Sequence, residues 1–174
     1  MSTSGARWLT AQEQVIWRNF VAAWGSLLAT VDSQLQRDSG LPLAYYEILV
    51  QLSEAPGRAL RMTQLAQASS SSKSRLSHAV TRLEERGWVR RTDCPTDRRG
   101  QIAELTDEGF AALAAAAPGH VEQVRCALFD SLTAEQLREL AGISQALLAA
   151  TGSPVSGARA VAGACLADEA EETG

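Results

Sequence analysis

Apolar positions recur every three or four residues over most of this chain, and a two-residue alternation appears only in a short central stretch. From Trp17 the series Phe20, Val21, Trp24, Leu27, Leu28, Val31 and Leu35 keeps one helical face apolar. Thr10 and Glu13 fit a capping box at its start and Gly40 suits its end, so the pattern predicts a helix over 10–40. A stripe that long and aromatic needs a second helix bundle or a partner chain to cover it. Pro42 opens a second, mostly buried helix over 43–52, which Pro56 and Gly57 end. After an extended piece at 58–61, residues 63–68 read as a helix of under two turns, followed by the serine run 69–72. Leu76, Ala79, Val80 and Leu83 then form the apolar stripe of a further helix, capped at Ser72 or a neighbour and closed by Gly87 in a left-handed conformation. Lys73, Ser74, Ser77, His78, Thr81 and Arg82 lie away from that stripe, so the helix buries one side and offers donors on the other.

Two strand-like runs follow, 88–92 and 101–105, joined by a turn-rich loop over 93–100 that carries Arg98 and Arg99. Thr106 can cap the next helix, which runs through Phe110 and Leu113 to the alanines before Pro118 and Gly119 interrupt it. Val121, Val124, Cys126, Leu128 and Phe129 continue the period. Two separate helices and one long helix kinked at Pro118 both fit, and the second is preferred. A last helix starts at Thr133 with a capping box and carries Leu137, Leu140, Ile143, Leu147 and Leu148. A polar-faced helix followed by a basic hairpin is the pattern of a winged helix. The fold class read from the chain is therefore mostly α: a winged helix-turn-helix with a small α/β wing, set between long N- and C-terminal helices that form a dimerisation module. The parts are an arm at 1–9, dimerisation helices at 10–40 and 107–150, the winged helix-turn-helix at 41–106, and an acidic Gly/Ala-rich tail at 151–174, expected to be flexible.

Charge changes this picture more than any other compositional feature. The net charge of -4 does not suggest nucleic acid, but its distribution does. Between Arg58 and Gly100 stand ten basic and four acidic residues, an excess of six positive charges, whereas the remainder holds six basic and sixteen acidic residues. One cationic segment in an acidic body suits a protein that meets a polyanion without adhering to everything. Cys94, Cys126 and Cys165 are odd in number and widely spaced, which fits neither a disulfide framework nor a zinc site, and His78 and His120 lack partners at ligand spacing. No cofactor or metal is expected. No apolar run reaches membrane length and the N-terminus does not read as a signal peptide, so a cytoplasmic protein with no membrane partner is expected. The chain shows no nucleophile–base pairing and no Gly-rich phosphate loop to support an enzyme.

Three pieces carry a resemblance to a known family: Leu65–Ala66 before the serine turn, the junction Leu83-Glu84-Glu85-Arg86-Gly87-Trp88-Val89-Arg90-Arg91, and Asp97-Arg98-Arg99 followed by Leu105-Thr106-Asp107-Glu108-Gly109. On these the chain resembles the MarR family of bacterial transcriptional regulators over roughly residues 10–150. The resemblance implies a homodimer in which the first and last two helices interlock. It also implies that the two winged helices meet successive major grooves of a pseudo-palindromic operator on double-stranded DNA; the function expected on that basis is a repressor released by a small-molecule effector. Arg75 and His78 stand where the family more often carries other residue types, so operator preference does not transfer. Peroxide-sensing members carry a cysteine near the start of the first helix, and this chain has none there.

The candidate DNA-binding residues are Ser72, Lys73, Ser74, Arg75, Ser77, His78, Arg82, Arg98 and Arg99. Taken alone the helical set is an ordinary solvated face; together with the basic wing and the scaffold it reads as a DNA contact. Arginine offers a bidentate fork to guanine, and the hydroxyls can hold phosphates or bases. Asp97 is expected to support the wing by orienting Arg99 for the minor groove, with Arg98 on a phosphate, against the plain reading of a surface turn. Trp17, Phe20, Trp24, Tyr45 and Tyr46 read first as core and dimer interface, and second as the wall of a pocket for a small aromatic or phenolic effector. Arg18 or His120 could then meet a carboxylate. The rival from another class is a winged-helix module that binds protein and has no effector control.

Overall fold

The computed structural model describes residues 5–69, 72–94 and 97–152, except the side chains of Arg98 and Arg99. Residues 1–4, Ser70, Ser71, Pro95, Thr96 and the expected tail from residue 153 onward lie outside the described residues. The described residues fall into two compact units, one within 1–43 and 116–132, the other within 44–115 and 133–174.

In the first unit, α1 (Ala11–Ser39) is the long helix that the apolar period predicts. Thr10 Oγ1 accepts the N–H of Glu13 and Glu13 returns a bond to the Thr10 N–H at 2.7 Å, while Gly40 closes the helix with φ 61°. These local bonds satisfy backbone groups that the helix itself leaves open. Val31, Gln34 and Leu35 are the buried residues of α1. Asp32 accepts the backbone N–H of Leu43 at 2.8 Å and so supplies a side-chain partner to the first residue of α2 (Leu43–Glu54). The remaining part of the unit is the distal half of α5 (Asp107–Val124), which continues into a π-helical turn over Arg125–Phe129. Pro118 thus sits inside one continuous helix, as preferred over two separate ones. Gly119 lies close to α1: a Cβ there would come within 3.0 Å of Gln34 Nε2, so the small residue permits the approach.

The second unit holds α2, a turn at Pro56–Arg58, β1 (Ala59–Arg61), α3 (Met62–Ala68), α4 (Lys73–Glu85), β2 (Val89–Cys94), β3 (Asp97–Leu105), the first half of α5, and α6 (Ala134–Thr151). Leu49, Leu52, Leu65, Leu76, Val80, Leu83, Ala103 and Leu105 are its buried centre. The stripe read from the sequence of α4 is the buried one: Leu76, Ala79, Val80 and Leu83.

Two expectations for the sheet need correction. It has three antiparallel strands in the order β1–β3–β2, because the extended piece before α3 pairs Ala59, Leu60 and Arg61 with Glu104, Ala103 and Ile102. Three residues are too few to show an alternation. The wing loop expected over 93–100 is also mostly strand. β2 runs to Cys94 and β3 starts at Asp97, with a register irregularity after Asp93 where the pairing steps from Gln101 to Asp97. Charged residues and Gly100 mimic a loop composition there, whereas a bulged hairpin tolerates them.

Candidate nucleic-acid interface

The interface is built on α4. Ser72 caps it, its Oγ accepting the N–H of Arg75 at 3.3 Å, and no acidic residue stands in the first turn. The positive end of the helix dipole therefore meets no carboxylate of its own helix there. Ser72, Lys73, Ser74, Arg75, Ser77, His78 and Arg82 are all exposed, on the sides of α4 not occupied by its apolar stripe. Lys73 and Arg75 carry no ion pair among the described residues.

Much of the basic charge between Arg58 and Gly100 is already engaged within the protein. Arg58 is paired with Asp107 at 3.1 Å and lies 4.0 Å over the Phe110 ring. Arg90 places Nη2 at 2.9 Å from both oxygens of Glu104 across the β2–β3 ladder. Arg91 turns toward α4 and contacts Glu84 at 3.3 Å. Arg86 stacks 4.9 Å over Trp88. Arg82 is held by Glu85 at 2.8 Å, one turn further along the same helix. The partners of Arg58, Arg90 and Arg91 come from elements distant in sequence, so no helical period could reveal them, whereas the Arg82–Glu85 pair lies within α4 itself.

At the wing, Asp97 is exposed at the first position of β3. The side chains of Arg98 and Arg99 lie outside the described residues; their backbone belongs to β3. The base of the hairpin is tied to α5 by Thr106, whose hydroxyl donates to the Gly87 carbonyl at 2.7 Å and accepts the Gly109 N–H at 3.0 Å. The Leu105-to-Gly109 motif thus marks the joint between wing and helix.

The five aromatic residues proposed for an effector pocket are dispersed in exposure. Trp17, Phe20 and Trp24 are exposed on α1, Tyr45 is half-buried and Tyr46 is buried on α2. Burial raises the Tyr46 phenol above its usual value. Two clefts of the first unit are lined by other residues: one of about 450 Å³ includes Ser26, Thr30, Gln123 and Cys126, and one of about 330 Å³ runs along His120, Val124, Arg125 and Phe129. No group of three or more metal-ligating side chains occurs among the described residues. No described helix is long and apolar enough to cross a membrane.

A capped helix with an exposed cationic face, joined by a glycine to a bulged antiparallel hairpin, defines a winged-helix protein of the DNA-reading class. The comparisons name the family. The MarR family profile matches residues 39–100. The transcriptional regulator HosA of Escherichia coli O111:H- is 34% identical over 102 residues, which cover 59% of this chain and 67% of HosA. Among solved structures, Sco3205, a MarR family transcriptional regulator from Streptomyces coelicolor in complex with DNA, is 52% identical with a TM-score of 0.80 over 88% of this chain and 95% of that one. AbsC, a MarR family regulator from the same organism, is 41% identical with a TM-score of 0.77 over 86% of this chain and 100% of that one. The chain belongs to the MarR family of winged-helix transcriptional regulators, a DNA-binding class and not an enzyme class.

Proposed function

We propose that this protein is a cytoplasmic repressor that occupies a pseudo-palindromic operator as a homodimer and is released by a small aromatic or phenolic effector. The observation that carries the reading is the exposed face of α4, on which Lys73, Ser74, Arg75 and His78 stand beside a helix N-terminus free of acidic side chains. Arg75 and His78 read base edges in the major groove, while Ser72, Lys73, Ser74 and Ser77 meet phosphates or bases. Arg82 joins them once it leaves Glu85. In the wing, Asp97 supports Arg99 in the minor groove and Arg98 meets a phosphate. That Sco3205 has been solved in complex with DNA supports this reading.

The homodimer rests on unpartnered apolar surface. Trp17 and Trp24 are more than half exposed on α1, and Ile143 is half exposed on α6, a helix with no buried residue. Exposed apolar area of that extent marks an association surface. Residues 10–40 and 107–150 then serve as dimerisation helices and 41–106 as the reading head. Effector control enters through the change in head separation, with the helix through Pro118 as pivot, since a ligand moves the balance only by its differential affinity for the two states.

The test is fluorescence anisotropy on a duplex taken from the DNA upstream of the protein's own coding sequence, at several salt concentrations, with sedimentation in parallel. Specific binding that weakens steeply with salt, by a dimer, is expected. Absence of binding at low salt refutes the reading and favours a protein-binding winged helix. Thermal-shift screening with aromatic acids tests the effector.

A further inference from the structure

Ser77, Thr81 and Glu84 follow one another at spacings of four and three and so form one flank of α4, next to the apolar stripe. All three are engaged by a single side chain from β2. Arg91 Nη2 donates to the Ser77 carbonyl at 2.7 Å and to the Thr81 hydroxyl at 2.9 Å, and Nη1 lies 3.3 Å from Glu84 Oε2. The other oxygen of Glu84 accepts the backbone N–H of Arg91 at 3.0 Å. This pair is largely shielded, with side-chain exposures of 20% and 30%, against 61% and 55% for the Arg82–Glu85 pair on the neighbouring flank. From its other side residue 91 is fixed by the ladder, where it pairs with the buried Ala103 of β3.

The chain between α4 and β2 is short and contains Gly87 at φ 74°; its bonds back to the helix, from Gly87 N–H to the Glu84 carbonyl and from Trp88 N–H to that of Leu83, end before β2, so the turn alone does not set the swing of the hairpin. The contacts of Arg91 span two turns of α4 and oppose that swing. Its fork is already directed at helix acceptors, so a phosphate would have to displace them. We propose that Arg91 is a positioning residue for DNA recognition: it does not touch the duplex but sets the angle between α4 and the β2–β3 wing, so that both enter their grooves in one register. The inference rests on the DNA-binding reading above.

The experiment is a pair of footprints on an end-labelled duplex from the protein's own upstream DNA, using full-length protein. Guanine N7 methylation reports the major groove under α4, and hydroxyl radicals report the minor groove under the wing. Arg91→Lys keeps the charge but loses the planar fork. It is expected to bind on the order of tenfold more weakly, to lose the hydroxyl-radical protection at the flanks and to keep the N7 protection, with its salt slope unchanged. Glu84→Gln keeps the acceptor for the Arg91 N–H and removes the ion pair, so it should show the same pattern at smaller size and covers the case in which Arg91→Lys folds poorly. A salt slope that drops by about one makes Arg91 a phosphate contact and overturns the proposal. Parallel fading of both protections in Arg91→Lys and Glu84→Gln alike overturns it too, since the two grooves then weaken together and no angle between α4 and the wing is being lost. A wild-type protein that gives no footprint fails the DNA reading itself, and this inference with it.

Discussion

Glu85 stands one turn beyond Arg82 on α4, and its carboxylate lies 2.8 Å from the guanidinium. An acidic group on the exposed flank of a DNA-reading helix opposes binding twice, by occupying Arg82 and by repelling phosphate. Glu85→Gln is therefore expected to tighten binding to operator and to random duplex alike. Because Arg82 becomes free for a phosphate, the slope of log affinity against log salt should steepen by up to about one. Anisotropy titrations on both duplexes check this; equal slopes for variant and wild type would show that Arg82 stays off the DNA.

Ser72 allows helix stability and DNA contact to be separated. Its hydroxyl caps α4, and replacing such a cap by alanine costs about 1 kcal/mol. Ser72→Asp keeps a capping oxygen and suits the helix dipole, but places a negative charge where phosphate is expected. Chemical denaturation should show Ser72→Ala less stable and Ser72→Asp close to wild type. DNA binding should rank the other way, with Ser72→Asp the weaker. Equal binding by the Asp variant would remove Ser72 from the interface.

What the sequence revealed follows the range of the forces involved. Caps at Thr10, Ser72 and Thr133 use bonds between residues three apart, so their signatures are contained in the local sequence. The buried stripe of α4 was legible for the same reason. Arg91 was not, because its acceptors lie 7 to 14 positions away and on another element. The helical period places Ser77 and Thr81 on a polar face, and nothing in it shows that a strand claims part of that face. β1 was missed as a strand because its three residues acquire meaning only when β3 is beside them. The π turn over Arg125–Phe129 left the apolar pattern nearly intact, so nothing distinguished it from α-helix.

Gly109 is fixed by its neighbours and not by its backbone angle. A Cβ built there would come within 2.1 Å of the Trp88 carbonyl and 2.8 Å of Leu105 Cδ1. The Trp88 carbonyl accepts the N–H of Thr106 at 3.1 Å, so it cannot retreat without opening the base of the wing. Gly109→Ala is expected to destabilise by about 3 kcal/mol, the upper part of the range for overpacking. Gly25→Ala, where nothing lies within 4 Å, should be neutral or slightly stabilising. Paired urea denaturation curves decide the matter: a Gly109→Ala loss no greater than that of Gly25→Ala would mean that α5 slides aside at little cost.

His120 gives the first unit a pH dependence of definite sign. It is half-buried beside Val121, Val124, Arg125 and Phe129, and burial holds its imidazole below the ordinary value. The unfolded chain then binds the proton more readily than the folded one. Stability is fully present above the unfolded value of about 6.5, falls as pH drops through the window below it, and levels off beneath the folded value. His120→Gln removes that titration. The difference in unfolding free energy between wild type and variant should therefore shrink or change sign on acidification from about pH 7.5 to about pH 5. Carboxylates titrate mostly at lower pH and in both proteins, so they cancel in the difference. A difference that stays constant across the window would show that the imidazole titrates as freely in the folded protein as in the unfolded chain.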